Sequence, residues 1–236
     1  MDTQALWLTL RLALTTTALL LAIALPLAWW IAAGGAGNRT GRQRGMVRAD
    51  ATRTLAQAVV ALPLVLPPTV LGFYLLVALG PLTAPGRLII RLLGHPLAFS
   101  FEGLVAGSVL YSLPFAVQPL VAGFRAVDRA LLEVAATLGA SPFRAFTTIT
   151  LPLAKASLVT AAVLTFTHTV GEFGVVLMLG GNIPGATRTL SIALYDQVQD
   201  FHYAAANRTA GLLLGFSLAA LMVVYRRGGE RRSPLG

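Results

Sequence analysis

From Leu6 to Ala33 the chain runs for 28 residues with a single charge, Arg11. A helix needs about 20 apolar residues to cross a hydrocarbon core about 30 Å thick. Within that core no water pairs with backbone amides, so a spanning segment must satisfy its own. The run lacks the short apolar stretch and small-residue cleavage site of a secretory signal. It is expected to stay as a transmembrane helix, with Arg11 snorkelling to the interface.

Four more apolar segments follow, at Leu55–Leu79, Phe101–Val121, Ala156–Leu179 and Asn207–Tyr225. Hydrophobic residues make up 56% of the chain and charged residues only 11%. A soluble domain carries about a quarter charged residues, so this chain has no means of covering itself in water. The predicted fold class is all-α integral membrane, with about five transmembrane helices and room for a sixth short or re-entrant one. Segments at Leu88–Leu93 and Leu190–Val198 are candidates for short interfacial or re-entrant helices. The whole chain, 1–236, is expected to be one transmembrane domain ending in a basic tail, 226–236.

The net charge of +9 is distributed as topology signals are, rather than as a nucleic-acid-binding face. Arg39, Arg42, Arg44, Arg48 and Arg53 follow the first segment. Arg125, Arg129, Arg144 and Lys155 surround the third connection, and Arg226, Arg227, Arg231 and Arg232 close the chain. These thirteen share one side in the five-span arrangement, leaving five of the 18 basic residues on the other. By the positive-inside rule the N-terminus is outside and the C-terminus cytoplasmic.

Inside the second segment, Pro63, Pro67 and Pro68 remove backbone donors and break the helix. Such a break either serves packing or borders a translocation path, and the two roles are compatible. Glu172 is the one acid well inside an apolar segment, flanked by Gly171 and Gly174. Intramembrane acids face a bundle interior or water, and small neighbours permit close helix approach. Pro67, Pro68, Gly171, Glu172 and Gly174 are therefore candidate path or packing residues. His168 reads as a hydrogen-bonded core histidine rather than a ligand.

One long polar-spotted segment lies between apolar ones: Asp128 to Pro152. Asp128 suits a helix N-cap, and the stretch from Arg129 to Leu138 is rich in good helix formers. Gly139 suits a left-handed helix end. Ser141 and Pro142 suit the cap and first position of a second helix carrying Phe143, Phe146 and Ile149. Two short helices joined by a tight elbow, held in water, form a shape that inserts into a partner's groove.

Glu133, Ala135, Gly139, Ile149, Leu151 and Pro152 fall at the spacing of the EAA signature of ABC importer membrane subunits, with Val134 where Ala is usual. Two longer runs, LPLVLPPTVLGFYLLVALG from Leu62 and GEFGVVLMLGGNIPGATRTLSIALYDQVQ from Gly171, resemble the membrane permeases of molybdate ABC importers. His168, ahead of GEFG, is a departure from that pattern. The resemblance covers about Leu55 to Tyr225. It implies a type I ABC importer permease fold in the cytoplasmic (inner) membrane, paired with a second copy of itself as a homodimer. It implies an ATPase-coupling site at Glu133, Ala135, Ala136, Gly139, Ala140, Ser141, Pro142, Arg144 and Pro152. Two cytoplasmic ATPase subunits would dock there, and an extracytoplasmic oxyanion-binding protein would deliver cargo. Membrane lipid completes the expected partners, with no nucleic acid.

The chain carries no Gly-rich loop ending in Gly-Lys-Ser/Thr, and its only lysine, Lys155, follows Ala154. It is not a P-loop ATPase by itself. The resemblance implies that ATP and magnesium are bound by the partner ATPase and that this chain is a non-catalytic subunit without a cofactor. Cysteine is absent, and His95, His168 and His202 lack metal-ligand spacing. A tungstate or sulfate permease is the alternative within the class. An ion-coupled secondary transporter would carry inverted repeats, and none is evident. A membrane-embedded enzyme has no clustered His/Asp/Glu or Ser/His set to use.

Overall fold

The structure is a computed structural model that describes residues 2–33 and 43–229. Arg39 and Arg42 of the basic loop and the tail beyond 229 lie outside the described residues. Helix α1 spans Thr3–Ala32, α2 Gln43–Ala61, α3 Pro68–Ala78, α4 Ala84–Leu93 and α5 Phe101–Arg125. Helices α6 (Arg129–Thr137), α7 (Pro142–Ala145) and α8 (Leu151–Leu153) precede α9 (Lys155–Gly171). The chain closes with α10 (Gly174–Gly180), α11 (Leu190–Gln199) and α12 (Tyr203–Gly229).

Helix starts follow local capping chemistry. The side chains of Asp2, Thr83 and Ser100 accept backbone N–H groups at the starts of α1, α4 and α5, at 3.0–3.1 Å. Each cap satisfies one of the four donors a helix start leaves open.

The core is a bundle of α1, α5 and α9. Leu8 and Leu12 share one apolar cluster with Leu104 and Val105. Leu20, Ala24, Ala28 and Ile31 share another with Val117, Leu120, Val121 and Phe124. Helices α1 and α5 therefore run in the same direction. Ser112 meets Thr169, while Gly123 meets Ser157, so α9 returns antiparallel. Half of the apolar window of α5 is buried, against 6% of that of α12. Among the three unbroken long helices α5 is thus the most buried and α12 the least. Arg11 stacks on the ring of Phe101, with 4.3 Å from guanidinium to centroid, at the start of α5. The two charged or aromatic groups meet at one level of the bundle.

Among the described residues, three unbroken helices are long and apolar enough to cross a membrane: Thr3–Ala32, Phe101–Arg125 and Tyr203–Arg226. Counting each of two bent pairs as one span gives five. The segment read as a second span over 55–79 is two helices, Ala51–Leu64 and Pro68–Ala78, meeting at 110°. Pro67 and Pro68 supply no donor to the preceding turn, so α2 cannot continue through them. The segment read as a span over 156–179 also divides. Helix α9 stops at Gly171, Glu172 is extended, and α10 begins at Gly174. In the third segment, by contrast, Pro114 and Pro119 lie inside a helix that continues beyond 121 to Arg125. The two short segments read at 88–93 and 190–198 are helices α4 and α11, each of 10 residues.

Candidate functional site

Two regions hold the residues that the sequence singles out. The first is the elbow. Asp128 accepts the N–H of Ala130 at 2.9 Å and starts α6. At the other end, Gly139 adopts φ +80°. Its N–H donates to Ala136 O at 3.0 Å, and the N–H of Ala140 donates to Ala135 O at 2.9 Å. This crossed pair is a Schellman motif, the closure that a left-handed residue after a helix permits. Ala135, Ala136, Gly139 and Ala140 thus act as one backbone device. Ser141 then accepts the N–H of Arg144 at 3.3 Å and opens α7, with Pro142 at its first position.

Beyond α7 the chain stays helical to Leu153 through one π-helical turn, Phe146–Thr150. The wider ring suits Pro152, which supplies no hydrogen to the turn before it. A 73° bend then leads into α9. Phe143, Phe146 and Ile149 are therefore spread over α7 and the π turn rather than over one regular helix. Phe146 is buried, stacked on Trp29 at 4.7 Å and edge-on to Phe124 at 5.4 Å. These two rings belong to the ends of α1 and α5, so Phe146 clamps the elbow to two of the three core helices. Nothing local in the sequence marks this anchor.

The outer face of the elbow is unpartnered and apolar. Leu131 and Val134 are exposed, and Leu138 and Phe143 are 83% and 67% exposed. Glu133 and Arg144 are exposed among them. Ala135 alone of the signature residues is buried. The elbow thus presents a compact apolar ridge with charges at its margins.

The second region is the pair of breaks. A Cβ at Gly174 would lie 2.6 Å from Cβ of Pro68, and one at Gly72 would lie 2.7 Å from Cβ of Met178. The two helices that follow the breaks, α3 and α10, therefore lie side by side in parallel. Pro68 and Gly174, singled out separately in the sequence, are in contact. Gly171 departs from its packing role: it is exposed, and a Cβ there meets nothing within 4 Å.

Glu172 is buried at 4% exposure. One carboxylate oxygen accepts the N–H of Val175 at 2.8 Å and caps α10, while the Ser191 hydroxyl donates to its carbonyl. Among the described residues its second oxygen has no partner. His168 lies 2.9 Å from Ser112 Oγ through Nδ1 and stacks on Phe115 at 4.0 Å. It is held as a structural histidine is held, by a hydrogen bond and by the rings of Phe115 and Tyr111.

Residues 24–228 match the model of the family described as binding-protein-dependent transport system inner membrane component. The chain belongs to this family of inner membrane subunits, whose systems depend on a substrate-binding protein. Among relatives, it is 50% identical to the molybdenum transport system permease protein ModB of Azotobacter vinelandii, over 95% of this chain and 93% of that protein. It is 36% identical to the ModB of Mycobacterium tuberculosis, over 98% of this chain and 80% of that one. The fold matches a chain of the MetNI methionine ABC transporter with a TM-score of 0.69 at 18% identity, covering 95% of this chain and 93% of that one. The architecture is that of a type I ABC importer permease.

Proposed function

We infer that this chain is the membrane-spanning subunit of an ATP-driven importer of molybdate. The cargo rests on its relatives, foremost the 50% identity over 95% of the chain. The coupling role rests on one observation, the apolar ridge of Leu131, Val134, Leu138 and Phe143 held on a rigid elbow. In this reading a second copy completes the pore, and one ATPase subunit seats each elbow in a surface groove. Glu133, Ser141, Pro142 and Arg144 lie at that contact, and Pro152 fixes the bend behind it. The basic ends of α2, α5 and α12 face the cytoplasm, the N-terminus faces outward, and a binding protein docks on the outer side.

The chain performs no covalent chemistry. ATP and magnesium belong to the partner, and what this chain supplies is two states that its partners bind differently. Phe146 is the link through which the elbow carries a displacement to α1 and α5. The breaks at Pro67–Pro68 and Glu172 are where the spans yield.

Uptake of labelled molybdate into proteoliposomes containing this chain, its ATPase and its binding protein tests the reading. ATP-dependent uptake that resists excess sulfate is expected. Uptake abolished by sulfate would reassign the cargo to sulfate, and uptake driven by an ion gradient without ATP would overturn the coupling role.

A further inference from the structure

Helix α5 presents one unburied stripe. Tyr111, Phe115, Gln118, Ala122 and Arg125 recur at intervals of three and four, so they share a face. Tyr111 and Phe115 are half-buried against the His168 ring, while Gln118, Ala122 and Arg125 are exposed. The opposite side, with Ala116, Leu120 and Phe124, is buried in the bundle. At a rise of about 1.5 Å per residue, Gln118 lies roughly 10 Å inside the Arg125 end of the helix. That depth is hydrocarbon in a lipid-facing helix. Polar groups within spans face a bundle interior or water.

A second amide stands beside it. Gln57 of α2 and Gln118 line one cavity of about 350 Å³, with Val60, Val117, Val121 and Arg125. At about 30 Å³ per water, that is room for about ten waters. Its lining holds no acidic residue, and among the described residues no carboxylate is paired with Arg125. Two amide N–H₂ groups and one guanidinium, with no fixed negative charge, are a donor set for an oxyanion.

We propose that the Tyr111–Gln118–Arg125 face of α5, with Gln57 of α2, lines the passage by which the oxyanion crosses, and that the two amides and the guanidinium are its hydrogen-bond donors on the way to the basic side. The passage face rests on the permease reading above. It assigns the α5 stripe to water and to the second copy, and α12 to lipid.

The chain contains no cysteine, so single introduced thiols report without background. Gln118→Cys and Leu214→Cys, the latter 71% exposed on α12, are each reconstituted with ATPase and binding protein. A charged, membrane-impermeant thiosulfonate is then added. Only a hydrated thiol ionises and reacts readily, so Gln118→Cys is expected to label at least about tenfold faster than Leu214→Cys. Equal rates would overturn the passage. In a separate arm, Gln118→Glu places a negative charge in the path, and molybdate uptake is expected to fall about tenfold or more. ATPase co-purification and thermal midpoint should stay at wild-type values. Wild-type uptake in Gln118→Glu would overturn the donor role. The labelling arm is independent of cargo, so a wild-type chain that imports another anion would fail the molybdate reading while leaving the passage to be judged by labelling.

Discussion

The elbow around Gly139 and the break between Leu64 and Pro68 both redirect the chain, and they keep their shapes by different means. The elbow is closed by its own backbone: the Schellman pair to Ala135 and Ala136, the Asp128 cap and the Ser141 cap. The ring of Phe146 fastens it to the bundle between Trp29 and Phe124, with Leu151 packed on the same cluster. The break keeps a short turn of its own, with the N–H groups of Val65 and Leu66 both donating to Leu62 O at 3.1 Å, but Pro67 and Pro68 add no donor to it. It is held by a second break, where Pro68 seats against Gly174 and the following helices pack in parallel. A locally closed element moves as a unit and presents a constant face to a partner. An element closed by its neighbour changes shape when that neighbour shifts.

Removing the buried ring tests the first half of this contrast most severely. Phe146→Ala deletes a buried ring and is expected to cost about 3–5 kcal/mol. The thermal midpoint should drop, and ATPase co-purification should weaken even though the apolar ridge is unchanged. A midpoint equal to wild type would mean that the elbow needs no anchor.

The second half is tested at Gly174. A methyl group there collides with Pro68, and overpacking of this kind costs about 1–3 kcal/mol. Gly174→Ala should lower both thermal stability and uptake while leaving ATPase co-purification intact. Loss of co-purification without loss of stability would put the effect at the elbow and dissolve the distinction.

Gly139→Ala forces a Cβ into a left-handed conformation, at about 1–2 kcal/mol. Space is not the obstacle, since a Cβ there meets nothing within 4 Å. The expected signature is weakened ATPase co-purification with a small change in midpoint. Smallest of all is Gly171→Ala, expected within about 0.5 kcal/mol of wild type because the site is exposed and open. The contrast between two glycines three residues apart is read in the same thermal scan.

How far the sequence carries the reader follows this same line. Asp128, Gly139, Ser141 and Pro142 are legible because their effects act within a few residues, through caps and a left-handed turn. The apolar runs are legible because hydrocarbon admits so few folds. Pro67 and Pro68 announce a break but not its partner, since what Pro68 touches lies far along the chain at Gly174. Phe146 is equally silent, because Trp29 and Phe124 give it meaning only after α1 and α5 have packed. The division of 156–179 at Glu172 is hidden for a related reason: apolar residues on both sides read as one continuous run. The stripe on α5 needed the burial of its opposite face before Gln118 could be recognised as uncovered.

The hydroxyl of Thr9 accepts the N–H of Leu190 at 2.8 Å, a bond between residues 181 positions apart, and donates to Ala5 O at 2.7 Å. At a synthesis rate of about 5–20 residues per second, Thr9 is made about 10–35 s before Leu190. Through that interval the bond to Ala5, made within α1 itself, leaves Thr9 no unpaired hydrogen to carry into the lipid. At Thr9 the first helix therefore enters the bilayer already satisfied, with an acceptor lone pair in reserve for a helix not yet made.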